Sequence, residues 1–206
     1  LVVRRDMKIT VDFEGGEGAF GEDRLRHPLF ENILKQNIIN YSSIQPAKPK
    51  VGGAKANEGY DYVIIVQNNA TFLAWADSIK NFRKKQGIST QIFVIGGADI
   101  PTNTTPAIET FVDSAYSKWA NPPVGVLLLG DWGTTSPGLA SSKQMTHPSG
   151  TAAYSYRSDN IFGDVDITDA ASSWTNGGAP EIVFSRMTAT TATQCSIMVK
   201  KFMTYE

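Results

Sequence analysis

The stretch VGVLLLGDW, Val124–Trp132, constrains the fold of this chain more than any other segment. Its apolar run follows Asn121-Pro122-Pro123 and ends in a Gly-Asp pair that opens a loop rich in Gly, Ser, Thr and Pro. A continuous apolar run between turn signals is the pattern of a strand buried on both faces of a parallel sheet. In open α/β sheets, ligands sit beyond the carboxyl ends of the strands. Asp131 is therefore expected at the functional edge, on the strand in the middle of the sheet.

The elements around this strand alternate between two periods. Tyr60–Val66 reads as a strand, and Asn69 caps a helix reaching about Gly87, with Phe72, Trp75, Ala76, Ile79 and Phe82 on one stripe. Ser89–Ile95 is the next strand. Thr105 caps a second helix with Pro106 at its first position, and Ile108, Phe111, Val112, Ala115, Tyr116 and Trp119 form its apolar stripe. After the Val124–Leu129 strand come a long loop (133–153), strand-like pieces at Tyr154–Tyr156 and Asn160–Val165, and a second loose loop from Ile167 to Pro180. Glu181–Arg186 is a fourth core strand. A final helix from about Thr190 buries Cys195, Met198, Val199, Phe202 and Met203. Right-handed crossovers and the apolar runs point to a three-layer, Rossmann-like or caspase-like α/β sandwich on a mostly parallel sheet. Loops of this length are usually functional or disordered, and both lie after the third strand, on the ligand side.

The first 59 residues read differently. Residues 1–13 alternate as a strand, with Met7, Ile9, Val11 and Phe13 on one face. Pro28 opens a helix whose stripe is Leu29, Ile33, Leu34, Ile38 and Tyr41. Residues 46–59 then carry Pro, Gly, Lys and Ala without period, as an exposed linker does. The expected organisation is a short α+β unit (1–45), a linker (46–59) and the α/β unit (60–206). A first residue of Leu suggests a piece of something longer.

A formal charge of −1 gives no electrostatic case for nucleic acid or an anionic membrane. No run approaches the roughly 18–20 apolar residues of a membrane span, and no secretory signal is visible. A single cysteine excludes an internal disulfide and a Cys-based zinc site. Cys195 lies on the buried stripe of the last helix, where it serves as a small core hydrophobe and not a nucleophile. His27 and His147 read as solvated histidines. There is no G-x-S-x-G, P-loop or G-x-G-x-x-G. A receiver-type phospho-acceptor role for Asp131 would need acids after the first strand, where Gln67-Asn68-Asn69 stands instead.

The acids form the more informative group. Asp131 ends a core strand, Asp159, Asp164, Asp166 and Asp169 lead to the next, and Glu181 opens it. Carboxylates converging at one sheet end repel one another unless a cation sits among them, and flexible oxygen ligands suit Ca²⁺. An acidic solvated loop is the plainer alternative.

From Tyr60 onward the order of pieces resembles the gingipain-type cysteine peptidase family. The matching segments are YDYVIIV, AWADSIKNFRKKQGISTQIFVI, VGVLLLGDW, YRSDNIFGDVD, PEIVFSRM and the closing MVKKFMTYE. The resemblance implies the first, caspase-like half of an extracellular or cell-surface endopeptidase, preceded by the end of its propeptide. It implies that the catalytic His and Cys belong to a C-terminal half, so no catalytic residue is expected in this chain. That half would be its partner and would take the protein or peptide substrates. The resemblance also implies a structural Ca²⁺ held by Asp131, Asp166 and Glu181, with Asp169 as a further acid. The competing expectation is a peptidase-like scaffold that binds a protein partner without catalysis.

Overall fold

The structure is a computed structural model and describes residues 35–39, 41, 57–141, 143–146, 155–165 and 180–206. The expected strand at 1–13, most of the helix opened by Pro28, most of the linker, His27, His147, Asp166, Asp169 and the 167–179 loop lie outside the described residues. Residues 35–37 of that first helix are helical.

The four apolar runs become four parallel strands: β2 (Tyr62–Gln67), β3 (Thr90–Ile95), β5 (Gly125–Leu129) and β8 (Val183–Met187). They lie in the order β3-β2-β5-β8. Val63, Ile64, Ile65 and Val66 of β2 have no exposed surface, and all of β5 is buried. This is what a continuous apolar run demands, because both faces need covering. One face carries α1 (Ala70–Lys85) and α3 (Ala192–Tyr205), closed over Ile64, Val66, Leu127, Leu129 and Cys195. The other carries α2 (Thr105–Lys118), over Val63, Ile65, Val126 and Leu128. The chain steps from β2 to β3 on one side and returns to β5 on the other, so successive right-handed crossovers put α1 and α2 on opposite faces. The topological switch point falls between the carboxyl ends of β2 and β5.

Of the two caps expected from sequence, Asn69 is in place and Thr105 is not; α3 brings a cap of its own. Asn69 Oδ1 accepts from the amides of Thr71 and Phe72, and Thr191 with Gln194 forms a capping box on α3. In α2 the cap position is Thr104, not Thr105. Thr105 Oγ1 instead donates to the Ser141 carbonyl at 2.6 Å, anchoring the far end of the loop after β5.

Three expectations were displaced. Trp119 leaves the helix and enters β4 (Trp119–Asn121), which pairs in parallel with β1 (Asn57–Gly59). The expected loop 133–153 contains β6 (Lys143–Thr146), antiparallel to β7 (Ser155–Ser158). Asn160–Val165 is not a strand: Asn160–Gly163 is a 3-10 turn. Its Phe162 is wholly buried under Phe184, with ring centroids 5.6 Å apart. An apolar pair spaced for a strand here serves one tight turn, since period alone cannot distinguish them over so few residues.

Candidate functional site

The carboxyl end of β5 is where the sequence places its functional edge. Gly130 follows β5 at φ +153, and a Cβ there would collide with the Pro137 carbonyl. This close approach folds residues 131–140 back over the sheet end. Leu139 N donates to the Asp131 carbonyl (2.8 Å) and Gly133 N to the Leu139 carbonyl (3.0 Å). From β2, Gln67 Nε2 donates to the Gly138 carbonyl at 2.9 Å. Asn103 Nδ2 donates to the Gly133 and Gly138 carbonyls, and its Oδ1 accepts from Ala140 N. The switch-point crevice, where a doubly wound sheet usually takes a small ligand, is thus roofed by the chain's own loop.

The centre of this arrangement is Arg186. It stands opposite Leu128 in the β5/β8 register, on the same face as Ile182 and Phe184. A cation in that position must be paired, because an isolated buried charge is strongly disfavoured. Its Nε and Nη2 donate to Asp159 Oδ2 and Oδ1 at 2.7 and 2.8 Å, a two-pronged ion pair. Nη1 donates to the carbonyls of Gly130, Asp131 and Leu139 at 3.3, 3.2 and 3.1 Å, and Nη2 to that of Ala140 at 2.9 Å. The side chains are 9% and 20% exposed. One guanidinium therefore holds both ends of the 130–140 loop and the start of the 3-10 turn. Asp159 appeared in sequence among the acids, but its partner did not. The available signal was an Arg continuing the apolar alternation of Ile182 and Phe184 in EIVFSR.

Outside the clasp, Asp131 Oδ1 accepts from Trp132 N at 2.8 Å. The Trp132 ring is about half exposed, and the Arg157 guanidinium carbon lies 3.9 Å from its centroid.

Of the four acids expected around one calcium ion, Asp131 and Glu181 lie too far apart to share it. In a parallel sheet, the start of β8 is level with the start of β5. Asp131 N donates to the Ala189 carbonyl, so Asp131 is level with residue 189. From residue 181 to residue 189 at about 3.3 Å per residue is on the order of 25 Å, beyond any shared ion. Glu181 lies at the opposite end of the sheet, where its Oε2 accepts from Val165 N. Asp131 instead stands at the edge that the Arg186 cation holds. Among the described residues no group of three or more His, Cys, Asp and Glu is placed to hold a metal. In a parallel pair, the end of one strand and the start of its neighbour lie at opposite edges of the sheet.

Cys195, in contrast, is where the helical stripe placed it. It has no exposed surface, and burial pushes its thiol up to about 11. A thiol nucleophile needs the opposite shift and an adjacent base.

The model of peptidase family C25 matches residues 55–206. No curated protein matches the chain in sequence. A solved protease structure superposes with a TM-score of 0.52 at 18% identity, over 70% of this chain and 28% of its own. The complex of Porphyromonas gingivalis RgpB pro- and mature domains gives 0.47 at 20% identity, over 70% and 29%. The Arg specific cysteine proteinase gingipain R (RGPB) gives 0.48 at 21% identity, over 72% and 29%. The chain thus spans under a third of the length of these structures, and the first of them shows the shared fold. With a parallel four-stranded α/β core and a family match over most of its residues, the chain belongs to peptidase family C25.

Proposed function

We propose that residues 60–206 are the first, non-catalytic subdomain of a cysteine endopeptidase, and that the His and Cys for peptide-bond hydrolysis are supplied by a C-terminal half of the same precursor. The observation that carries this reading is Cys195: a thiol without exposed surface and with a raised pKa cannot attack a peptide carbonyl. The role of residues 60–206 is then structural. The Arg186 clasp holds the 130–140 loop rigid at the sheet edge, so that a neighbouring half meets a fixed surface. Residues 1–45 are the end of a propeptide, and the parent protein works outside the cell or on its surface. No helix among the described residues is long and apolar enough to cross a membrane.

Calcium belongs to this reading only at the Glu181 end, with Asp166 and Asp169 as the candidate neighbours; Asp131 is not a ligand there. Calcium titration calorimetry on the parent and Glu181→Gln chains tests this, and equal heats from both would remove calcium from the account.

The hydrolysis reading is tested with the 206-residue chain and a fluorogenic peptide library. No turnover is expected. Turnover abolished by Cys195→Ala would overturn the reading. The scaffold alternative is favoured by one observation, an exposed indole carrying an exposed guanidinium at the sheet edge.

A further inference from the structure

We infer that Trp132 and Arg157 form a docking point for an extended polypeptide segment that carries one acidic side chain beside a large apolar one. The inference goes beyond the peptidase reading and holds whether or not the parent protein hydrolyses peptides.

Three observations lead to it. The crevice that would take a small ligand is closed by Gln67, Asn103 and the glycines of the 130–140 loop, so recognition at this edge falls to what the loop presents outward. What it presents is Trp132, 48% exposed, its backbone held by the amide's bond to the Asp131 carboxylate and by the Trp132–Leu139 bridge across the loop. A large aromatic carried on a held backbone has already met part of the ordering cost of binding. The third observation is charge. Arg157 is exposed, its guanidinium carbon lies over the indole 3.9 Å from the ring centroid, and no acid pairs with it among the described residues. Arg186, by comparison, has every donor group engaged.

A cation–π contact with the indole engages one side of the Arg157 guanidinium, whose planar fork matches a carboxylate in bidentate fashion. The indole beside it offers apolar surface, and Trp and Arg are both among the residues enriched at binding hot spots. Asp131, one residue from Trp132, repels a second negative charge. The surface therefore fits a single Asp or Glu flanked by Leu-sized residues, and disfavours a polyacidic run.

The test follows the four indole N–H signals of the full ¹⁵N-labelled chain, with Trp132 assigned through Trp132→Phe. The probe is the peptide acetyl-Ser-Leu-Asp-Leu-Ser-amide, with its Asn counterpart as control. The Trp132 signal is expected to move and saturate, at least tenfold more tightly for the Asp peptide, and to weaken with added salt. Arg157→Gln, at an exposed position, is expected to remove that tenfold preference while leaving the melting temperature unchanged. Equal response to both peptides, no response, or a Trp132 shift that depends only on protein concentration overturns the inference. The last result would mean that a second copy of the chain occupies the face.

Discussion

Replacing Arg186 with alanine removes one side chain and leaves six acceptor contacts without their donor: two on the Asp159 carboxylate and four on loop carbonyls. Breaking a buried ion pair by deleting one partner costs about 3–5 kcal/mol, because the remaining charge stays desolvated. Asp159 is 20% exposed and regains part of its hydration, which favours the lower half of that range, while the Gly130 and Ala140 carbonyls, which lack the backbone donors that Asp131 and Leu139 keep, act in the other direction. We expect a loss of about 3–4 kcal/mol, or a melting temperature lower by roughly 6–16 °C for a domain of this size. Arg186→Lys keeps the charge but loses the planar fork, so it should recover less than half of the loss. Urea unfolding of the 206-residue chain measures the stability, with the slope m checked for constancy. Amide exchange at Gly133, Leu139 and Ala140 then reports whether the loop has loosened locally, since their partners lie in or next to the clasp. An Arg186→Ala chain within about 1 kcal/mol of the parent, or unchanged exchange at those amides, would refute the claim that this guanidinium organises the sheet edge.

Three further outcomes follow from the same structure. Gly130→Ala forces a Cβ into the Pro137 carbonyl at a positive φ, and should cost at least about 2 kcal/mol by thermal melting, against roughly 1 kcal/mol for Gly87→Ala, whose φ is positive but whose surroundings are open. Burial holds the Cys195 thiol near 11, so above about pH 9 the unfolded chain ionises while the folded chain does not. Stability is intact below that pH and falls as pH rises toward 11, by up to about 1.4 kcal/mol per unit. Parent and Cys195→Ala should therefore diverge in urea melts between pH 8 and 10, and parallel curves would contradict the assignment. Finally, Asp131→Asn should leave any response of the melting temperature to calcium or chelator unchanged; a lost response would put Asp131 back among the ligands.

The α/β core was legible because its strands are extreme. A run such as YVIIV or GVLLL has nowhere to go but between two layers, and the helices between them carry clean stripes and a capping Asn. The family resemblance drew on the same segments. What escaped was long-range and polar. Nothing local in SRM indicates that Arg186 reaches the carbonyls of residues 130–140 and a carboxylate 27 residues earlier, because such pairing is set by register between distant strands. The separation of Asp131 from Glu181 escaped for the same reason: parallel register puts the two at opposite ends of the sheet. The 3-10 turn at Asn160–Gly163 was less accessible, since Ile161 and Phe162 fit either a short strand or a turn.

The claim on which the functional reading rests is that the single thiol of this chain is part of its core and takes no part in chemistry. Intact-mass analysis after iodoacetamide treatment at pH 8, in buffer and in 6 M urea, tests it most directly. The account predicts no adduct on the native chain over hours and a complete single adduct on the unfolded one. A stoichiometric adduct on the native chain within minutes would contradict it.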